Sequence, residues 1–232
     1  MNLKNIPFRT EANVLKSLSY NDNVYAWLLL HSHFRVGEKH NYIYKMEFTY
    51  KQIGKDIRKN EKTVSKRFQE LVKAGIIYED EYNRKKVYKM PYYERQFEEL
   101  DGETVMGLLT LPCKEYKEEL IKTYAFLLKR KRQTKEDDKA DGLDRAPVFR
   151  ISAKEVLEEF GHSTGNKQSY DRMRMIFTIL QGAGIIEFEV IPTIQHIDGT
   201  FDPARLSIYR VNKKASDKWL GIRSEQNKEN EV

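Results

Sequence analysis

One seven-residue segment occurs twice in this chain. Leu71-Val72-Lys73-Ala74-Gly75-Ile76-Ile77 returns as Leu180-Gln181-Gly182-Ala183-Gly184-Ile185-Ile186. Two further landmarks precede each copy in the same order. The first is an apolar helical segment, Tyr25-Ala26-Trp27-Leu28-Leu29-Leu30 against Tyr124-Ala125-Phe126-Leu127-Leu128-Lys129. The second is a short aromatic-led segment, Phe48-Thr49-Tyr50 against Phe149-Arg150-Ile151. A repeat of roughly 100 residues has the size of a domain, not of a solenoid unit. The spacing therefore predicts a duplicated domain at 1–100 and 101–215, with a polar tail at 216–232.

The local signals within each copy agree. An all-round apolar helix is expected at 23–34, capped by Asn21 or Asp22 after a mixed arm at 1–20. A short strand then leads into a helix near 50–57 and, past the turn Arg58-Lys59-Asn60, a helix over 61–74. Asn60 suits the N-cap, where its side chain accepts a hydrogen bond from an otherwise unpaired amide. Val64, Phe68, Leu71 and Val72 share one face and predict a buried stripe. Gly75 stops the helix, because glycine takes the left-handed conformation without strain. The flanks Ile76-Ile77-Tyr78 and Val87-Tyr88-Lys89-Met90 predict a hairpin with Tyr82-Asn83-Arg84 at its tip.

The second copy repeats the order. It predicts a strand at 105–111, helices at 114–131, 153–160 and 167–183, and a long hairpin of 185–191 and 206–211. A mobile charged loop is expected over 132–147. Met173, Phe177 and Leu180 match Val64, Phe68 and Leu71. Helix, strand, helix, turn, helix and hairpin is the order of a winged helix, a helix-turn-helix backed by a β-hairpin. The expected fold is thus α+β, mainly helical, with two tandem winged-helix domains related by internal duplication.

Charge is unevenly distributed. Residues 1–100 carry 19 Lys and Arg against 13 Asp and Glu, whereas 101–232 carry 22 of each. The whole net charge of +6 therefore belongs to the first half and suggests an anionic partner there, most simply nucleic acid. No apolar run reaches the ~18 residues of a membrane span. The N-terminus lacks the apolar stretch of a signal peptide. The single cysteine, Cys113, fits a reducing compartment, so a soluble cytoplasmic protein is expected.

In a helix-turn-helix the second helix enters the major groove. Its solvent-facing positions in the first copy are Glu61, Lys62, Ser65, Lys66 and Gln69, with Arg67 at the border. Lysine can donate to guanine or phosphate, and Gln69 can address adenine. Lys51, Lys55, Arg58 and Lys59 precede this helix and suit phosphate contacts that set register. Arg84, Lys85 and Lys86 put three cations at the wing tip, for the backbone or the minor groove. The bland alternative is a charged tip that blocks edge aggregation. The second copy offers Lys167, Gln168, Arg172 and Arg174 on its helix and Arg205 in its wing, for DNA or for protein contact.

No catalytic, cofactor or metal site is expected. His31-Ser32-His33 has the spacing that rolling-circle nicking initiators use for a metal. Here it ends a helix-like run, where i and i+2 point apart. Glycine-rich phosphate loops and zinc-type Cys/His clusters do not occur.

The paired Leu-x-x-x-Gly-Ile-Ile endings, the paired Tyr-Ala-[Trp/Phe]-Leu-Leu helices and the tandem order over residues 20–212 resemble the plasmid replication initiators. The resemblance implies binding to direct repeats at an origin, duplex opening, recruitment of a host helicase or its loader, and a homodimer that represses its own promoter. In that family the second unit usually makes the dominant base contacts. Here the first unit holds the charge, so both are expected to touch DNA. The alternatives are a transcriptional regulator or conjugation accessory factor on inverted repeats, and a protein-interaction scaffold whose DNA affinity would depend little on salt.

Overall fold

The computed structural model describes residues 3–19, 21–35, 40–91, 97–113, 117–142, 149–151, 153–202 and 205–229. Over these residues the protein is a mixed α+β molecule, more than half helical, with four small antiparallel sheets.

The first half runs β1 (Ile6–Arg9), α1 (Ala12–Ser17), α2 (Asp22–His31), β2 (His33–Arg35), β3 (His40–Tyr44), α3 (Tyr50–Ile57), α4 (Glu61–Lys73), β4 (Tyr78–Tyr82), β5 (Lys85–Pro91) and β6 (Phe97–Leu100). The second half runs α5 (Gly102–Leu109), a 3-10 turn at Lys117–Glu119, α6 (Leu120–Ala140), β7 (Phe149–Ile151), α7 (Ala153–Phe160) and α8 (Lys167–Gly182). It ends with β8 (Ile186–Ile191), β9 (Ile194–Gln195), β10 (Phe201–Asp202), β11 (Arg205–Val211) and α9 (Asp217–Glu229).

As its largely apolar sequence demands, α2 is central. Every residue from Asp22 to Leu30 is buried. It packs on helices α3 and α4 and on β3 of a four-stranded sheet ordered β2-β3-β5-β4, which includes the β4–β5 hairpin. The corresponding sheet of the second half is ordered β7-β11-β8. One continuous apolar core crosses the 100/101 boundary, since α1 packs on α7 and α2 packs on α5 and α6.

Several expectations are corrected. The arm at 1–20 contains β1, which pairs with β6 from Ile6 opposite Leu100 to Arg9 opposite Phe97, and α1. The apolar run at 105–111 is not a strand: residues 105–109 belong to α5 and Thr110 is its C-cap. Asp101 caps that helix by accepting a hydrogen bond from the Thr104 amide (2.8 Å), and Val105, Leu108 and Leu109 form its buried face. A short apolar run fits either period, and the cap decides for helix. The helix expected at 23–34 stops at His31, and Phe34 belongs to β2. The segment 132–140, expected as a loop, continues α6, with Arg132 and Glu136 paired at i,i+4 (3.3 Å). The start of the expected helix at Lys114 and the loop residues 143–147 lie outside the described residues.

The polar tail is also corrected, because 217–229 form helix α9. Trp219 of α9 lies over Gly107 of α5, where a β-carbon would sit 2.6 Å from the indole. Arg223 of α9 donates to the Thr110 carbonyl oxygen (2.7 Å).

Candidate nucleic-acid interface

The α3–α4 unit is built by local rules. Thr49 caps α3 by accepting from the Gln52 amide (3.1 Å), and Asn60 caps α4 by accepting from the Thr63 amide (2.7 Å). Gly54 lets the chain fold back tightly between the helices, since a β-carbon there would lie 2.5 Å from the Lys59 carbonyl oxygen. Arg58 takes the left-handed conformation (φ 57°) to end α3. Val64, Phe68 and Leu71 are buried as expected, and Val72 is half-buried.

The two repeated heptapeptides end their helices identically. Ile76 N–H donates to Leu71 O (3.0 Å) and Gly75 N–H to Val72 O (2.9 Å). In the second copy Ile185 N–H donates to Leu180 O (2.9 Å) and Gly184 N–H to Gln181 O (2.9 Å). Both are Schellman closures with the glycine at positive φ (67° and 73°).

The structure sorts the sequence-predicted cations into two groups. Lys51, Lys55, Arg58, Lys62, Lys66, Arg84, Lys85 and Lys86 are exposed and form no ion pair among the described residues. On α4, Lys62, Lys66 and Gln69 fall at i, i+4 and i+7, on one exposed face, with Ser65 half-buried beside them. At the β4–β5 hairpin, Lys85 lies over the Tyr44 ring (5.7 Å). Arg84 sits at the turn with φ 58°, after Asn83 with φ 51°, which is the two-residue hairpin geometry that favours Asn-Gly.

The other group points inward. Lys59 Nζ pairs with Glu118 Oε1 (2.6 Å), and an Arg67 guanidinium nitrogen pairs with Glu118 Oε2 (2.5 Å). Both cations are mostly buried against a carboxylate that is itself 4% exposed. Lys59 and Arg67 therefore leave the expected DNA-facing set.

In the second half Lys167, Gln168 and Arg174 are exposed on α8, whereas Arg172 pairs with the buried Glu119 (3.2 Å). Arg205 begins β11, and its side chain lies outside the described residues.

Sequence reasoning missed the junction between these helix pairs. Lys117, Glu118, Glu119 and Lys122 are all buried, and Lys117 donates to the Ile57 carbonyl oxygen at the end of α3 (2.8 Å). Burial lowers the Lys117 ammonium to about 8. For Glu119, burial pushes the carboxyl up, but a hydrogen bond from His162 and the charges of Lys122 and Arg172 outweigh it and hold it at about 2. Asp22, at the start of α2, has no hydrogen-bond partner on either carboxylate oxygen among the described residues. Burial, reinforced by Glu118 and Glu119 against Lys122, raises its carboxyl well above the ordinary 3.8. In sequence, the only signal was a Glu-Glu pair ahead of an apolar helix.

His31 and His33 do not converge. His31 stacks on Trp27 (3.8 Å between ring centroids), while His33 Nε2 faces Glu47 (2.9 Å).

No protein-family model, curated protein or solved structure matches this chain.

Proposed function

We propose that this chain is a sequence-specific double-stranded DNA-binding protein built from two tandem winged-helix units, and that it serves as a plasmid or phage replication initiator on repeated origin sites. The observation that carries the DNA-binding reading is the sorting of charge. Lys51, Lys55, Arg58, Lys62, Lys66, Arg84, Lys85 and Lys86 stand exposed with no carboxylate partner among the described residues, whereas Lys59 and Arg67 are paired inward. Free cations exchange mobile counterions for phosphates, and the counterion release drives association.

In this reading Lys62, Lys66 and Gln69 of α4 address base edges, while Lys51, Lys55 and Arg58 hold phosphates and set the register. Arg84, Lys85 and Lys86 reach the backbone or minor groove from the wing. On α8, Lys167, Gln168 and Arg174 give the second unit a lighter set of contacts. The twofold occurrence of helix, strand, helix, helix and hairpin, closed by the same Schellman turn, supports the duplicated winged-helix reading. No helix among the described residues is long and apolar enough to cross a membrane.

Selection of bound duplexes from a randomised pool tests the function. An initiator enriches sites in direct repeat, with two half-footprints per chain about one helical turn (~10 bp) apart. Enrichment of inverted repeats points to a regulator, and no enrichment overturns sequence-specific binding.

A further inference from the structure

We infer that Lys117, Glu118 and Glu119 are positioning residues. They form a charged clasp that fixes the α7–α8 pair relative to the α3–α4 pair and so sets the spacing between two half-sites on one duplex. The DNA part of this inference rests on the function proposed above; the geometric part does not.

The clasp is three consecutive residues with directed partners on both sides. Lys117 donates to the Ile57 carbonyl oxygen, at the negative end of α3 (2.8 Å). Glu118 holds Lys59 in the α3–α4 turn (2.6 Å) and Arg67 on α4 (2.5 Å). Glu119 turns the other way, to His162 in the α7–α8 turn and to Arg172 on α8 (3.2 Å). Three residues span at most ~10 Å, so the two helix pairs are tied close together through one short piece of backbone.

The chemistry is costly for mere adhesion. Lys117, Glu118, Glu119 and Lys122 are 2%, 4%, 0% and 0% exposed. Buried charges pay a desolvation penalty that well-packed apolar side chains avoid, and apolar replacement of such a pair is often neutral or stabilising. What a charge-assisted hydrogen bond adds is direction, because it weakens steeply when one partner slides or rotates. An apolar contact between the same elements would tolerate such a shift. The arrangement also withdraws Lys59 and Arg67 from the exposed cationic surface, so those two side chains orient the unit while their neighbours stay free.

Two measurements on the full-length chain test this. The first needs no DNA. With Cys113→Ser as background, spin labels at Glu70→Cys on α4 and Asp171→Cys on α8 report the distance between the helices. The distribution is expected to be narrow in the parent and to broaden in Glu118→Gln, with α-helical content retained. Arg67→Gln, which removes one arm only, is the second variant should Glu118→Gln fail to fold. The second measurement repeats the duplex selection with Glu118→Gln. Both half-site sequences should persist, while discrimination between the preferred spacing and neighbouring spacings falls at least about tenfold, the worth of one charge-assisted hydrogen bond.

An equally narrow distance distribution in the folded variants overturns the clasp. Unchanged spacing discrimination overturns its role on DNA. A broadened distribution in a protein whose parent enriches no duplex sustains the clasp and overturns the DNA-binding function instead.

Discussion

Arg84 combines a conformational cost with an exposed charge. A non-glycine residue in the left-handed region costs about 1 kcal/mol or more, and the turn Asn83-Arg84 places its second residue there (φ 58°). Glycine would relieve that cost, so an arginine at this position fits selection for its side chain. Arg84→Gly is expected to stabilise the protein by about 1 kcal/mol in urea denaturation while weakening duplex binding and lowering the salt slope by about one unit. Equal affinity and slope in the variant would remove the wing tip from the interface. Asp22 shows the opposite balance, a buried carboxyl with no hydrogen-bond partner among the described residues. Its raised carboxyl pKa means that the folded state binds the proton more tightly than the unfolded chain. The stability this provides is complete below the ordinary value of 3.8 and is lost as pH rises through the raised folded value. Asp22→Asn should therefore gain stability over the parent at neutral pH and lose that advantage in acid. A gain that does not change with pH would show that ionisation of Asp22 is not the cause.

Helix α4 carries the recognition role in this account, and its two lysines should act differently from the wing. Lys62→Ala combined with Lys66→Ala is expected to weaken binding to a selected site more than binding to random duplex, because base-edge contacts discriminate and phosphate contacts do not. Equal losses on both would assign the helix to the backbone. That α4 could be placed from sequence follows from strong local signals: Asn60 caps it, Val64, Phe68 and Leu71 mark its buried face, and Gly75 closes it. The hairpin was equally legible from Tyr82-Asn83-Arg84. Elements defined by distant partners were not. The pairing of β1 with β6 joins Ile6 to Leu100 across most of the first half, and no short window contains both. Helix α9 looked like a tail because its partners lie more than 100 residues away, Trp219 over Gly107 and Arg223 on Thr110. The charged stretch at 132–140 resembled a loop in composition but is held helical as the continuation of α6, with Arg132 paired to Glu136. Exposure of the individual cations was partly legible. Helical periodicity put Arg67 at the border of the outer face, but only the fold brings Glu118 to it.

For the whole molecule, the uneven charge of the sequence becomes a surface with an inner and an outer set of cations. The inner set joins the halves at the Lys117–Glu119 turn, and the outer set lies on α3, on α4 and at the β4–β5 hairpin tip. A single apolar core runs across the 100/101 boundary, and the Lys117–Glu119 clasp would hold two DNA-contacting units at a defined separation within it. The claim on which the account rests is that the outer cations meet a phosphate backbone. The salt dependence of affinity for duplex DNA tests it most directly, compared between the parent chain and the triple variant Arg84→Ala, Lys85→Ala, Lys86→Ala. The account predicts that the logarithm of the parent's binding constant falls steeply and linearly with the logarithm of salt concentration, and that the triple variant flattens the slope by up to about 3 units. A parent chain whose DNA affinity is nearly independent of salt would contradict it.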